Sequence, residues 1–503
     1  MLRIIPGMQT GNPSIALFSV EQVRRLDRMA ISDLGVAGAE LMRRAATAAF
    51  ACLQERWPDA RSVVVIAGNG NNGGDAFLLA SLARQAGMSV TVIALGDRSS
   101  GDAATARESW LASGGEVVLA TANARIPVAD LLVDGLFGTG LSRAPTGPAA
   151  DLIEQMERFP GPRLALDVPS GLDADRGTAP GIAMHADATI SFVGWKRGLF
   201  CADGPDYCGA VELATLELPG SLYQRMPADA ELLDEHCVEI PGARRRNVNK
   251  GNFGHVLVIG GDRSMAGAVR LAGEAALRAG AGLVSVATRA ENAVSINAAR
   301  PEIMVHGVDG PQSIALLLNR ASVVALGPGL GQTSWAHALW DGALRAGKPL
   351  VLDADGLNLL AAKPQPLPQA SVLTPHPGEA ARLLGCEVKT IQSDRFSAVR
   401  ELAARYSAVV VLKGAGSLVA DPDGQVSLCP FGNPGMASAG MGDVLTGVLA
   451  GLLAQGLGLR DAARIGVVAH ALAGDRAAGD CPRGLLASDL FAPLRACLNG
   501  ASS

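Results

Sequence analysis

The sequence lacks any CxxC pair: Cys52, Cys201, Cys208, Cys237, Cys386, Cys429, Cys481 and Cys497 are scattered through 503 residues. That argues against a thiolate zinc site or a dithiol redox motif and makes free thiols in a reducing compartment the expectation. Aromatics are scarce at 4%; charged residues are only 18% against 49% hydrophobic, which is far from the composition of a disordered chain. No basic start followed by an apolar run is present in the first thirty residues, so no signal peptide is expected and a cytoplasmic protein is. The longest uncharged stretch, 444–459, falls short of the roughly 18–20 residues of a membrane span and reads as a buried helix. A net charge of -5 counts against a nucleic-acid binder, which usually shows a basic face.

What is abundant is apolar material and glycine. Hydrophobic residues make up 49% of the chain and glycine fills 61 positions, enough for large cores with closely packed helices and tight turns. The length predicts two or three domains. Short apolar runs closed by Gly or Asp recur: SVVVIAG (62–68), SVTVIALG (89–96), LLVDG (131–135), LALDVPSG (164–171) and ATISFVG (188–194). A second series follows: HVLVIGG (255–261), GLVSVAT (282–288), SVVALGPG (322–329), PLVLDADG (349–356), SVLTPHPGE (371–379) and AVVVLKGAG (408–416), with a long helical part from Gly442. β-branched runs separated by alanine-rich helical segments mark parallel sheets covered on both faces. Ser19, with Gln22 three residues on, predicts a capped helix start. Between the series, 219–252 is polar, has three prolines and carries the basic run Arg244–Arg246. That run reads either as a phosphate contact or as a solvated segment entering a domain. The predicted organisation is a leader over 1–14, a domain over 15–222, a linker over 223–230 and a second domain over 231–503. Two blocks of unequal motif content suggest a fusion, not a duplication.

In the first block GNGNNGGD (68–75) directly follows a strand. A glycine-rich turn there lets backbone approach a ligand, and the next helix offers free N–H groups to phosphate. Asp134 ends LLVD before GLFGTGLSR, and Asp167 ends LALD before VPSGL. Ligands of open α/β sheets bind at the carboxyl ends of strands, so two carboxylates and two glycine-rich loops would meet at one rim. A plain tight turn explains the Gly/Asn loop taken alone, and a helix cap explains either aspartate alone; the set together favours a site.

On NNGGD, DGLFGTGL and DVPSGL in that order, residues 15–220 resemble the NAD(P)H-hydrate epimerases. The resemblance implies a Rossmann-like three-layer domain. It implies that Asn71, Asn72, Gly73, Gly74 and Asp75, with the loop Gly138, Thr139, Gly140, Leu141, Ser142, Arg143 and Ala144, hold the hydrated nucleotide. Asn72, Asp134 and Ser170 correspond to potassium ligands; amide, carboxylate and hydroxyl oxygens suit a hard cation. Asp167 would stand at the reacting ring, whose hydrate is epimerised at carbon six, and move a proton there. Ala76 departs from the family, where Gly is common; the added methyl is not expected to remove activity.

The strongest motif is GNPGMASAGMGDVLTG (432–447). Its glycines place amides at a helix N-terminus, where the dipole favours phosphate, and Asp443 falls in the first turn, placed to take a proton from an attacking hydroxyl. A helix cap is the competing reading of GxGD alone. KGAGS (413–417) supplies a lysine and a tight loop, and TPHPGE sets His376 between prolines. With these motifs residues 230–503 resemble the ribokinase-like fold and, within it, the ADP-dependent NAD(P)H-hydrate dehydratases. The resemblance implies that Lys413, Gly414, Ala415, Gly416, Ser417 and Gly442 bind the adenine nucleotide. Ala268, Gly329, His376 and Asp443 would contact the hydrated nicotinamide nucleotide, with Asp443 as base and Mg²⁺ on the phosphates.

The reading is therefore a bifunctional repair enzyme using K⁺, Mg²⁺ and ADP. Its expected partners are hydrated NADH and NADPH, ADP and a second copy of the chain, with no nucleic acid and no membrane. A ribokinase-type small-molecule kinase with an accessory domain is the alternative, separated by its stable phosphorylated product. A first domain reduced to binding is the third reading, countered by the presence of Asp134, Asp167 and Ser170.

Overall fold

The computed structural model describes residues 3–4, 15–121, 125–141, 143–237 and 244–499. The chain divides into two compact units, Met1–Glu231 and Leu232–Ser503.

The first unit contains β1 (Arg3–Ile4), β2 (Ala16–Phe18), β3 (Ser62–Ala67), β4 (Ser89–Ala94), β5 (Val117–Leu119), β6 (Leu131–Gly135), β7 (Arg163–Leu166), β8 (Ala188–Phe192), β9 (Trp195–Lys196), β10 (Ala210–Ala214) and β11 (Ala230–Leu232). Eight of them form one sheet ordered β5-β4-β3-β6-β7-β8-β10-β1, every neighbouring pair parallel. The chain winds outward one way from β3 and the other way from β6, so the ligand crevice lies beyond the carboxyl ends of those two strands. The apolar run of β3 serves two cores at once: Val63, Val65 and Ala67 pack in one cluster, Val64 and Ile66 in the other. That alternation is the period-two geometry of a strand covered on both faces, and it makes the unit a three-layer, Rossmann-like domain.

The helix Val20–Leu34 starts at Ser19 with a reciprocal capping box: Gln22 N donates to Ser19 Oγ (3.3 Å) and Ser19 N to Gln22 Oε1 (2.9 Å). Of the leader, β1 is described and pairs with β10; the rest lies outside the described residues. The segment 223–230 differs from the linker expected of it. The helix Gly220–Gln224 runs into it, and Leu222, Tyr223 and Met226 are buried in the first unit's core. Three apolar side chains among prolines and charges were enough to fold it back.

The second unit contains β12 (His255–Ile259), β13 (Leu283–Thr288), β14 (Met304–Gly307), β15 (Val323–Leu326), β16 (Leu350–Leu352), β17 (Ser371–Leu373), β18 (Val409–Leu412), β19 (Ser417–Ala420) and β20 (Val426–Cys429). They run in the order β14-β13-β12-β15-β16-β17-β18-β19-β20, parallel up to β18 and antiparallel beyond it. Winding again reverses, here between β12 and β15. Each apolar run read as a strand holds one, and the stretch at 444–459 lies largely in the buried helix Met441–Ala454. Among the described residues no helix is long and apolar enough to cross a membrane.

The helices Ala266–Arg278 and Met441–Ala454 pack side by side in the same direction, Gly440 against Leu271, Gly447 against Ala272 and Gly451 against Ala276. A methyl at Gly447 would run into the Ala272 carbonyl oxygen, which is backbone and cannot step aside. Gly447→Ala is expected to cost about 3 kcal/mol by overpacking, read as a fall in the urea midpoint at unchanged slope; a midpoint equal to that of the parent would contradict the contact.

Candidate active sites

The first site grows from the reversal between β3 and β6. Gly68 ends β3, and a methyl on it would strike Leu136 O; one on Gly73 would strike Gly68 O, and one on Gly74 would meet Met42 Sδ at 2.6 Å. Gly68 and Gly73 are therefore required by backbone packing within the protein, whatever approaches the turn from outside, while Gly74 opposes the movable end of Met42. Ala76 is fully buried, and its methyl faces Gly135, where a second methyl would come within 2.5 Å. The space for the departure from the family is thus supplied by a glycine opposite.

Asn72 joins two strand-end loops: Nδ2 donates to Phe137 O (2.9 Å) and Leu166 O (3.2 Å), while its Oδ1 is buried with no hydrogen-bond partner. Asp134 in β6 is wholly buried and accepts from Ser170 Oγ (2.7 Å), Ser170 N (2.8 Å) and Leu136 N (3.0 Å). Burial pushes its carboxyl up to about 6 against the pull of those hydrogen bonds. Ser170 Oγ also accepts from Phe137 N (2.8 Å). An orphaned amide oxygen, one carboxylate and one hydroxyl so gathered fit a hard monovalent cation: oxygen donors are present and the negative charge is single. Among the described residues no group of three His, Cys, Asp or Glu side chains is arranged to hold a metal.

Asp167 follows β7 with a φ of 66°, in the left-handed region where a non-glycine residue is strained, a feature that concentrates at functional sites. Its Oδ1 is ion-paired with Lys196, which is 1% exposed and also donates to Phe192 O (2.6 Å) and Ser191 Oγ (3.1 Å). The three ammonium protons are thereby committed. β9, which carries Lys196, is set by pairing with β2, Phe18 opposite Lys196. These groups border a cavity of about 500 Å³, together with Asn71, Asn72, Asp75, Gly138, Thr139 and Gly140. Asp75 is 8% exposed, and burial pushes it well above the usual carboxylate range, with the charges of Asp167 and Asp27 adding to the effect.

Of the residues read from the sequence, Gly73 and Gly74 lie behind this lining; Leu141, Arg143 and Ala144 are not among the residues that line it, and Ser142 lies outside the described residues. Sequence reasoning missed Lys196, Asp27 and Arg24, all of which line the cavity; Arg24 Nη2 donates to Thr139 O (3.2 Å). Asp27 did leave a signal, since it falls between Val23 and Ala30 on the buried stripe of its helix, where an aspartate is out of place.

In the second unit Lys413 follows β18 and meets Asp353, which follows β16, at 2.8 Å, with Glu379 at 3.7 Å. Burial would raise Asp353, but Lys413 and the hydroxyls of Thr374 and Thr446 hold its carboxyl below the usual range; Thr446 Oγ donates to it at 2.8 Å. A methyl at Gly442 would stand 3.2 Å from Lys413 Nζ and 3.5 Å from Asp353 Oδ2, so the first turn of the helix Met441–Ala454 abuts the ion pair. Asp443 in that turn is pushed up to about 7, by burial first and then by the charge of Asp353, with Lys413 opposing. The carbonyl of Met441 is met by His470 Nε2 (3.0 Å), whose ring burial holds at about 4 and so neutral.

The loop after Lys413 is fixed from beneath by Arg395, 1% exposed, which donates to Leu412 O and Lys413 O at 3.3 Å each and to Gly416 O at 3.4 Å. Nothing in the sequence marked this arginine. Ser417 Oγ closes the loop on Gly414 O (3.0 Å). His376 caps the helix Pro377–Leu384: its Nδ1 accepts from Gly378 N (2.9 Å) and its ring is half exposed. Burial, Lys413 and Arg382 lower its basicity, and since Nδ1 accepts a hydrogen bond, the proton of the neutral form sits on Nε2. Ala268 and Gly329 lie together, a methyl on Gly329 falling 3.3 Å from Ala268 Cβ. Asp355 Oδ2 accepts from Gly331 N (2.8 Å) and raises Asp443, tying that pair to the acid cluster. Arg244 stacks on Phe253 at 3.6 Å and donates to Gly280 O (2.6 Å).

Two family models match, "YjeF-related protein N-terminus" over residues 38–198 and "NAD(P)H-hydrate dehydratase" over 256–495. The bifunctional NAD(P)H-hydrate repair enzyme of Coxiella burnetii is 45% identical over 96% of this chain and 99% of its own. That of Escherichia coli is 44% identical over 95% and 93%. A solved ribokinase-like superfamily protein of Enterococcus faecalis is similar at a TM-score of 0.50 and 29% identity, over 55% of this chain and 97% of its own.

Proposed function

The chain belongs to the bifunctional NAD(P)H-hydrate repair enzymes, and from that premise we propose that its first unit interconverts the two epimers of hydrated NAD(P)H while its second dehydrates the S form at the expense of ADP. The observation that carries this is the coexistence of two separate reactive sets on one chain. One is strained Asp167 with buried Lys196 and the orphaned Asn72 Oδ1; the other is Asp443 beside the Lys413–Asp353 pair.

In the first unit Asn71, Asn72, Asp75 and Gly138 to Gly140 seat the substrate, and Asp167 moves the proton of the carbon-six hydroxyl. Asn72, Asp134 and Ser170 would hold a potassium ion, which would supply positive charge at the strand-end rim. In the second unit the KGAGS loop holds the adenine nucleotide. Ala268, Gly329 and His376 seat the hydrated ring beside Asp443. Asp443 takes the hydroxyl proton as that oxygen attacks the terminal phosphorus of ADP, and AMP departs. The ring phosphate then leaves, the nitrogen lone pair assisting, and loss of the carbon-five proton restores the double bond. The amides of the GMGD turn and Lys413 stabilise the charge that develops. Mg²⁺ would be held by the nucleotide's phosphates and would supply charge neutralisation to them. A homo-oligomer in the cytoplasm completes the proposal, tested by sedimentation and fractionation.

The test follows absorbance of the reduced nicotinamide from mixed NADH-hydrate epimers with Mg²⁺, K⁺ and ADP. Full recovery is expected. A stable phosphorylated product without recovery, under ADP or ATP, would instead make the second unit a kinase. Replacing K⁺ by a large organic cation is expected to leave a fast phase for the S form only, with the remainder recovered at the spontaneous rate. Full fast recovery without K⁺ would remove the ion from the site.

A further inference from the structure

We propose that Asp27 is a second catalytic residue of the epimerase site, the acid that works with Asp167 as base; the proposal rests on the epimerase reading above. Opening a ring at a carbon that bears both a hydroxyl and a nitrogen needs two proton transfers, one from the oxygen and one to the nitrogen. Asp167 is suited only to the first. Its Oδ1 is engaged by Lys196 and by Phe192 N (3.3 Å), and its Oδ2 faces Gly138, where a methyl would stand 3.1 Å away. Lys196 has no proton to spare, its three donors being committed within the protein.

Asp27 is built differently. It projects from the helix Val20–Leu34 into the cavity that Asp167 and Lys196 line, and no described residue gives it a hydrogen bond or an ion pair. A half-buried aspartate with no partner on an otherwise apolar helix stripe has no structural use, whereas a proton donor must keep its carboxyl free for substrate. Asp75 is more deeply enclosed, near the start of the helix Asn71–Gln85. The surroundings favour the acid form of Asp27. Burial pushes it up to about 6, Lys196 pulls it back and Asp167 pushes it on, with Arg28 opposing weakly; Asp75 and Tyr223 also feel its charge. Two carboxyls in one site, one ion-paired with Lys196 and one without a partner among the described residues, can divide the acid and base roles between them.

The step balances. Asp167 takes the hydroxyl proton, the bond from carbon six to the ring nitrogen breaks with its electron pair going to nitrogen, and Asp27 protonates that nitrogen. The aldehyde rotates about the bond between carbons five and six. Nitrogen attacks its other face, Asp27 recovers its proton and Asp167 returns the other to oxygen. No oxidant or further reactant enters.

The test uses the full chain with K⁺ and a single purified NADH-hydrate epimer, its inversion followed by proton NMR. Asp27→Asn is expected to lower kcat roughly 100-fold or more with KM little changed. Asp27→Glu is expected to restore part of the loss, and the alkaline decline of kcat/KM should vanish in the Asn variant. Turnover retained by Asp27→Asn beside a working parent overturns the proposal alone, as does a loss confined to KM. A parent that leaves the epimer unchanged overturns the epimerase reading and the proposal with it.

Discussion

Asp443→Asn is expected to abolish ADP-dependent recovery of NADH from the S hydrate, lowering kcat about 1,000-fold, while inversion of the epimers continues. The amide is isosteric but cannot accept the hydroxyl proton. In the parent the base must be ionised, and its carboxyl is raised to about 7, so kcat/KM should climb with pH through that value and level off above it. The variant's residual rate should lack this limb. The same shift fixes the sign of the stability change. A carboxyl whose folded value lies above its unfolded value destabilises the fold once both are ionised, and the penalty fades as pH falls through the folded value. Asp443→Asn should therefore raise the melting temperature, more at pH 8 than at pH 5. A variant both inactive and less stable at pH 8 would mean the loss came from damage to the fold.

Asp167→Asn is expected to stop epimerisation, so that mixed hydrates recover to the S fraction quickly and beyond it only at the spontaneous rate. Here the stability cost runs the other way. Lys196 is 1% exposed and Asp167 14%, and stripping the charge from one partner leaves a buried ammonium uncompensated, at about 3–5 kcal/mol. The double variant Asp167→Asn with Lys196→Met should recover much of that stability and none of the activity. Recovery of epimerisation in the double variant would remove Asp167 from the chemistry. Calorimetry beside the absorbance assay separates the two effects.

The strands were legible because their apolar runs are continuous and end in Gly or Asp, and the two glycine-rich motifs were legible because they occupy strand ends. Short strands such as β2, β9 and β19 were not, since two to four residues carry no period of their own and are fixed by neighbours. Glycines 68 and 73 carry a second requirement that one dimension does not show, the close approach of the Leu136 and Gly68 carbonyls. Asn72 bonds Phe137 O and Leu166 O, 65 and 94 positions away, and Ser170 bonds Asp134 and Phe137 N, links that no local pattern announces. Lys196 and Arg395 gave no warning, because a charge buried by tertiary pairing sits in an ordinary-looking segment until its partners are known. Asp27 was readable in principle, as a charge on an apolar stripe.

The seam between the helices Ala266–Arg278 and Met441–Ala454 reaches further than packing. Where Gly447 and Gly451 press on the carbonyls of Ala272 and Ala276, no layer of side chains cushions one helix from the other. Ala268 near the start of one and Asp443 near the start of the other are thus held to a common ruler of backbone atoms. Hereditary change along the seam is correspondingly hemmed in: a larger residue on either side has to be answered by moving a whole helix, and with it the Asp443 carboxyl.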